Sequence, residues 1–296
     1  MFQKMKKELQ KISKIISTSS SDIEENLKKY KGEIIVVKYG GSAMLDPKLS
    51  ETFYKDVGII VNAGIKPIIV HGGGPQINES LKSVKIKHQF YKGMRVTDKK
   101  TLKVVQMVLT GYINKNITTN LCKKNILAMG IAGTDGKLIE VKKYIFYEKS
   151  KKIDLGYVGN PVQLNTKLLK NLLSSGIVPI IAPIGANKKG VKYNINADIT
   201  AGFISHKIRA RRLLMLTDVS GVVDSDNILI GELKLKEIKK LIARGVIHGG
   251  MIPKVNTCIE AVKKGVRASV IIDGRVKHAL LKELFSSKGV GTLFRK

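Results

Sequence analysis

Five short motifs in this sequence carry groups suited to handling anions: Lys38-Tyr39-Gly40-Gly41, His71-Gly72-Gly73-Gly74, Gly93-Met94-Arg95, Asn194-Ile195-Asn196-Ala197-Asp198 and Gly249-Gly250-Met251-Ile252-Pro253-Lys254. Two lysines, two glycine turns, an isolated arginine and one carboxylate are what a protein needs to hold a nucleotide against a small anion and transfer a phosphoryl group. The fold must draw them together from distant parts of the chain.

The run Ile34-Ile35-Val36-Val37 ends in Lys38 and the Gly40-Gly41 turn. At the carboxyl end of a parallel strand such a loop lies over the ligand crevice, and glycine lets backbone N–H groups approach phosphate oxygens. Taken alone, the same residues also describe a solvated strand-end lysine beside a tight turn. Ile68-Ile69-Val70-His71 repeats the arrangement with three glycines, and Pro75 suits the first position of a helix whose N-terminus favours anions. In this reading His71 orients the loop and is not a base.

Only eight of the 53 basic residues are arginine, so Arg95 stands out in a lysine-dominated chain. A guanidinium grips a carboxylate through two parallel hydrogen bonds, although a surface ion pair would also account for it. Thr97 is placed to cap the helix that follows. Asn194 and Asn196 can reach polar substrate groups, while Asp198 either caps its helix or pins one or both lysines. Lys254 falls in the first turn of a helix opened by Pro253, where a cation opposes the helix dipole; that local conflict points to function. The run Leu213 to Leu216, leaving through Thr217-Asp218-Val219-Ser220-Gly221, is a candidate nucleotide wall.

The elements that must position these groups follow from hydrophobic spacing. Ile34 to Val37, Ile68 to Val70, Ile177 to Ile181, Leu213 to Leu216 and Ser269 to Ile272 read as buried strands. Residues 50–63, 75–83, 98–116, 166–175, 197–208, 235–243 and 253–264 read as helices between them. The pattern predicts an α/β fold with an open, mainly parallel central sheet flanked by helices on both faces. Lys137 to Val162 reads as short strands forming a hairpin region at the sheet edge. Phe2, Met5, Leu9, Ile12 and Ile16 draw a narrow apolar stripe that packs on its own domain, docks a partner helix or belongs to a transit peptide; the partner helix is favoured. A second helix is expected over about residues 22–30. The predicted division is a helical extension at 1–30, an N-terminal lobe at 31–186 and a C-terminal lobe at 187–296, with Gly185 to Gly190 at the boundary.

With 296 residues and 43% hydrophobic content, the chain can bury a large core. Two cysteines without metal-like spacing fit a reducing compartment. No apolar run reaches the roughly 20 residues that span a bilayer, so no membrane role is expected. The net charge of +30 invites nucleic acid as a partner, but the lysines are dispersed and do not cluster with aromatics. Abundant Lys, Ile and Asn reflect AT-rich codons equally well, and no nucleic acid partner is expected. Zinc-enzyme, Walker A, dinucleotide-binding and nucleophile-elbow motifs are all missing.

In this order, the motifs resemble the amino acid kinase family, and within it the acetylglutamate branch, over about residues 30–296. An aspartokinase would carry Lys-Phe-Gly-Gly-Thr-Ser and a C-terminal regulatory domain, where this chain has Lys38-Tyr39-Gly40-Gly41-Ser42-Ala43. The resemblance implies transfer of the γ-phosphoryl group of MgATP to the side-chain carboxylate of N-acetyl-L-glutamate, a step of arginine biosynthesis. It implies that Lys38 and Lys254 flank the moving group and that Asp198 holds them. Gly73, Gly74, Arg95, Asn194 and Asn196 would contact substrate, and Gly40, Gly41, Thr217, Asp218, Gly221 and Met251 the nucleotide. The magnesium would come with the nucleotide, with no dedicated metal site in the protein.

Arginine-inhibited members carry an extra N-terminal helix that interlaces dimers into a hexamer, a trimer of dimers. By that resemblance arginine is an expected inhibitor, with Glu283 and Gly289 among its contacts. The nitrogen-signalling PII protein is a further expected partner, and bacterial cytoplasm or plastid stroma the expected location. The rival readings are a kinase acting on free glutamate or aspartate and, in another class, a basic nucleic-acid-binding protein.

Overall fold

The computed structural model describes residue 10, residues 12–148 and residues 151–296. Its strands in the first half are β1 (Ile34–Tyr39), β2 (Lys66–His71), β3 (Phe90–Tyr91), β4 (Met94–Arg95), β5 (Ala128–Ala132), β6 (Ile139–Glu148) and β7 (Lys151–Leu164). The second half adds β8 (Val178–Ala182), β9 (Ile184–Ala186), β10 (Lys192–Asn194), β11 (Arg212–Thr217), β12 (Glu232–Lys234), β13 (Ala268–Asp273) and β14 (Thr292–Arg295).

Eight of them form one sheet in the order β12-β14-β13-β11-β1-β2-β8-β5. From β13 to β5 every pairing is parallel, and β14 turns back antiparallel against β13. Sheets of this kind are buried on both faces, and alternate residues of each strand feed different cores. Ile35, Val37, Leu214 and Leu216 enter one apolar layer, with the Pro47–Asn62 helix. Val36, Ile68, Val70, Leu213 and Met215 enter the other, beneath the helices Ala197–Lys207 and Met251–Lys263. Lys38 is two residues from Val36, so its side chain emerges on that second face.

The expected strands and helices all form, with boundaries that shift by a few residues. The segment 98–116 differs in kind: it is α-helical over Lys99–Gln106, π-helical over Met107–Ile113 and α-helical again over Asn114–Cys122. The hydroxyl of Thr110 donates to the Gln106 carbonyl at 2.8 Å, occupying an acceptor of the regular helical ladder. Thr97 does not cap this helix. Its hydroxyl donates to the Arg95 carbonyl at 2.7 Å, and Asp98 caps instead by accepting from the Thr101 N–H.

The Lys137 to Val162 region does form a hairpin, but away from the main sheet edge. β6 and β7 close with β9 and β10 into a separate small barrel. The edge is taken by β5, a strand the hydrophobic pattern did not reveal. At the start of the chain, residues 12–16 are helical, and Ile12 and Ile16 are buried in the first core. These two positions thus pack on the chain itself, whereas Phe2, Met5 and Leu9 of the stripe lie outside the described residues. The next helix, Ser20–Tyr30, is capped by Ser19, whose hydroxyl accepts from the Asp22 N–H at 3.2 Å. Among the described residues, no helix is long and apolar enough to cross a membrane.

Candidate active site

The carboxyl ends of β1 and β2 lie side by side, with Tyr39 in register with His71, so the two glycine turns emerge together. Behind them the Ala197–Lys207 helix begins at Asn196, whose side-chain oxygen accepts from the N–H groups of Asp198 and Ile199 at 2.8 and 3.2 Å. The cap is therefore Asn196, which frees the Asp198 carboxylate for the lysines. Its Oδ1 stands 3.3 Å from Lys38 Nζ and its Oδ2 2.9 Å from Lys254 Nζ.

Burial disfavours the charged carboxylate of Asp198, but the two ammonium groups beside it outweigh that effect and bring its pKa down to about 2. Asp198 is thus an anion at any working pH. Lys254 projects from the first turn of the Met251–Lys263 helix, where the dipole opposes it. The Asp198 carboxylate compensates that misplacement. Lys38 donates in addition to the Leu216 carbonyl at 3.4 Å, which ties it to the neighbouring strand β11.

Arg95 ends β4 and is 6% exposed, yet it has no carboxylate partner among the described residues. Its Nη2 donates to Asn78 Oδ1 at 2.6 Å and to the Gly74 carbonyl at 3.3 Å, and its guanidinium lies 4.6 Å from the centre of the Phe90 ring. Nη1 is buried with no hydrogen-bond partner among the described residues. Burial of the uncompensated charge lowers the Arg95 pKa to about 10. A buried guanidinium held on one side, with an unused donor on the other, is a receptor for an oxyanion.

Except for Lys254, which reaches the site through Asp198, a cavity of about 240 Å³ joins these parts. It is lined by Lys38, Gly40, Gly41, Gly73, Gly74, Arg95, Asn194, Asn196 and Asp198, all singled out from the sequence. Asn194 donates to Thr97 Oγ1 at 3.3 Å, linking β10 to the segment that follows Arg95. The N–H groups of Gly73 and Gly74 have no partner among the described residues. The His71 ring is fully buried, and that burial, only partly offset by the Gly72 carbonyl 3.0 Å from Nδ1, lowers its pKa to about 4. It is neutral at pH 7 and oriented toward the loop backbone.

The remaining expected residues stand apart from this cavity. Gly41 has φ of +70°, and a Cβ there would fall 2.5 Å from Asp218 Oδ1, the same oxygen that accepts from the Ser42 N–H at 2.7 Å. Asp218 thus braces the first glycine turn, a contact that the sequence does not announce. The carbonyl of Thr217 accepts from Gly274 N–H at 2.8 Å, Gly221 packs against Thr292, and Met251 opens its helix half-buried against the second core. Glu283 and Gly289 meet one another far along the sheet: Glu283 Oε2 accepts from the Val290 N–H at 2.9 Å, and a Cβ on Gly289 would come 2.7 Å from that oxygen.

Two cations about one buried carboxylate, two glycine turns and a guanidinium with a free edge meet on an open α/β sheet, an arrangement suited to holding anions. The chain belongs to the amino acid kinase family, whose model matches residues 33–273. It is 48% identical over 275 residues to the acetylglutamate kinase of Gluconobacter oxydans, covering 91% of this chain and 93% of that one. It is 47% identical to the acetylglutamate kinase of Rhodospirillum rubrum, covering 91% and 89%. Among solved structures, the N-acetylglutamate synthase of Neisseria gonorrhoeae has the same fold, with a TM-score of 0.83 at 20% identity. That match covers 93% of this chain and spans 62% of the length of the synthase chain.

Proposed function

We propose that this protein transfers the γ-phosphoryl group of MgATP to the side-chain carboxylate of N-acetyl-L-glutamate, giving N-acetyl-L-glutamyl 5-phosphate in arginine biosynthesis. The observation that carries the reading is the Arg95 guanidinium, buried at the wall of the same cavity as Lys38 and Asp198 with one edge unused. An α-carboxylate fits that edge through parallel hydrogen bonds, and the acetylglutamate kinases above support the choice of acceptor.

The acceptor carboxylate is already ionised at neutral pH, so its oxygen attacks the γ-phosphorus without a general base. The bond to phosphorus forms as the bridge to the β-phosphate breaks, and ADP leaves with the electron pair. Positioning and charge neutralisation carry such a step. Lys38 and Lys254 approach the moving group from two sides, and Asp198 keeps both in place. Gly41, Gly73 and Gly74 offer backbone donors; Asn194 and Asn196 take the polar end of the acceptor. Gly40, Thr217, Asp218, Gly221 and Met251 belong to the nucleotide side, and magnesium arrives with the ATP. In this reading residues 31–186 form the acceptor lobe and residues 187–296 the nucleotide lobe.

Arginine is the proposed feedback inhibitor, acting at Glu283 and Gly289. The first 30 residues serve assembly into a hexamer, PII is a regulatory partner, and the protein works in a bacterial cytoplasm or a plastid stroma. The adjacency of Glu283 and Gly289, and the packing of the Ser20–Tyr30 helix on the Ala279–Phe285 helix that carries Glu283, support the regulatory part. A coupled ADP-release assay with N-acetylglutamate, glutamate and aspartate tests the whole reading. Turnover with N-acetylglutamate alone is expected; preference for a free amino acid, or salt-sensitive nucleic-acid binding without turnover, overturns it.

A further inference from the structure

The π-helical stretch Met107–Ile113 and the residue that follows it lie directly behind the second glycine turn. Asn114 is 1% exposed, and its amide nitrogen stands 3.1 Å from His71 Nε2, 2.9 Å from the Ile180 carbonyl and 3.5 Å from the Ile131 carbonyl. The carbonyls can only accept, so this end of the amide is the donor; one hydrogen goes to the Ile180 carbonyl, and His71 Nε2, nearer than the Ile131 carbonyl, accepts the other. The other ring nitrogen faces the Gly72 carbonyl at 3.0 Å, again an obligate acceptor, so Nδ1 carries the proton. The tautomer of His71 is therefore fixed from both sides.

The same stretch touches the loop twice more. A Cβ on Gly73 would run into Ile113 and would lie 2.9 Å from Leu109, so these two side chains form the floor under Gly73. Asn114 in turn depends on a glycine in β5, because a Cβ on Gly130 would collide with Asn114 Oδ1 and stand 2.6 Å from Thr118 Oγ1. That Oδ1 is buried without a partner among the described residues. An amide held in place at the expense of its own oxygen points to its nitrogen as the selected group. π-Helical turns recur at functional sites because they re-aim the side chains around them.

We propose that Asn114 is a positioning residue for phosphoryl transfer: by donating to Nε2 of His71 it fixes the Nδ1–H tautomer, which holds the Gly72 carbonyl and leaves the Gly73 and Gly74 N–H groups facing the cavity. Neither residue touches substrate; they set the direction of the backbone donors that do. The proposal rests on the functional reading above only for the identity of the reaction.

Nitrogen-15 NMR of His71 in the full-length wild type tests the tautomer without turnover. A protonated Nδ1 and a bare Nε2 at pH 7 are expected; an Nε2–H ring or an imidazolium overturns the proposal, whatever happens to any variant. Kinetics test the relay. The side-chain amide of Asn occupies the place of Nδ1–H, so His71→Asn retains the donor to Gly72, whereas the longer His71→Gln aims its amide toward the Nε2 position and loses it. Asn114→Ala is expected to lower kcat/KM by about 10-fold, the scale of one lost buried hydrogen bond. His71→Asn lowers it less than His71→Gln, and adding Asn114→Ala to His71→Asn lowers it no further, because the relay no longer needs its first member. Strictly additive effects, or equal losses in His71→Asn and His71→Gln, overturn the proposal. A wild type with the Nδ1–H signature but no kinase activity overturns the functional reading instead.

Discussion

The ammonium of Lys254 stands 2.9 Å from Asp198, on the oxygen opposite the one that faces Lys38. One carboxylate therefore sets the spacing of two cations supplied by elements at opposite ends of the chain. Replacing Lys254 with Ala is expected to lower kcat by on the order of 10² to 10³, the range seen when one preorganised charge-stabilising group is lost. ATP affinity, measured by equilibrium binding, should change little. An unaltered kcat would refute the role.

Arg95 separates binding from chemistry. Arg95→Lys keeps the positive charge but removes the planar fork, so KM for the acceptor should rise roughly 10- to 100-fold, as expected for losing charge-assisted hydrogen bonds, with kcat affected far less. Steady-state kinetics at saturating ATP read this split. A fall in kcat at constant KM would place Arg95 elsewhere in the mechanism.

Two groups of the site titrate in separate pH windows. For His71 the folded pKa of about 4 lies below the ordinary value near 6.5. The unfolded chain therefore binds a proton that the folded chain refuses. The stability from this group is complete above pH 6.5 and is lost as pH falls toward 4, by about 3 kcal/mol. Urea unfolding across that interval should show the slope in wild type and a flatter profile in His71→Asn. For Asp198, held at about 2, the contribution is present above the usual carboxylate pKa and disappears only as pH falls further toward 2. Of these two groups, it is the loop histidine and not Asp198 that contributes to acid inactivation between pH 6.5 and 4.

Gly289 holds a φ of +66° against the carboxylate of Glu283. Gly289→Ala adds strain to a left-handed position and presses on Glu283. Arginine inhibition should weaken by about 10-fold or more, while kcat without arginine stays within about twofold, the scale of a local disturbance distant from the cavity. Inhibition curves measured in parallel would decide; an unchanged arginine response would remove Gly289 from the effector site.

If the proposed assembly and inhibition hold, removing residues 1–20 abolishes the hexamer and weakens arginine inhibition. Light scattering and the same inhibition assay read both effects. A truncated protein with unaltered oligomeric mass and arginine response would overturn the proposed role of this segment.

The parts of the site that were legible in the sequence share a property: each sits where a regular element stops. Lys38, the two glycine turns and Asp198 fall at strand ends or helix starts, and such junctions are written in local residue types. The unread parts depend on contacts between distant segments. Asp218 braces Gly41 from just beyond the end of β11, and nothing in the Thr217-Asp218 pair signals that role. β5 was missed because Ala128-Met129-Gly130-Ile131-Ala132 is an edge strand with only Ala132 fully buried, so it lacks the solid aliphatic run of its neighbours. The Ala279–Phe285 helix was missed for the opposite reason. It is short, most of its residues are buried, and it has no polar face to create a period; its start at left-handed His278 carries no recognisable cap. Thr97 and Asp98 are adjacent residues of capping type, and only the Arg95 carbonyl, which takes the Thr97 hydroxyl, decides between them.

The π-helical stretch also fixes the length of its segment. A π-helix bonds i to i+5 where an α-helix bonds i to i+4, so deleting one residue between Met107 and Ile113 would let the stretch return to α-helix and re-aim Leu109 and Ile113 under Gly73 even if Asn114 kept its place. A stretch that carries the exposed side chains of Met107 and Tyr112 looks like ordinary surface, where insertions and deletions are harmless. Here residue count is itself part of the active site.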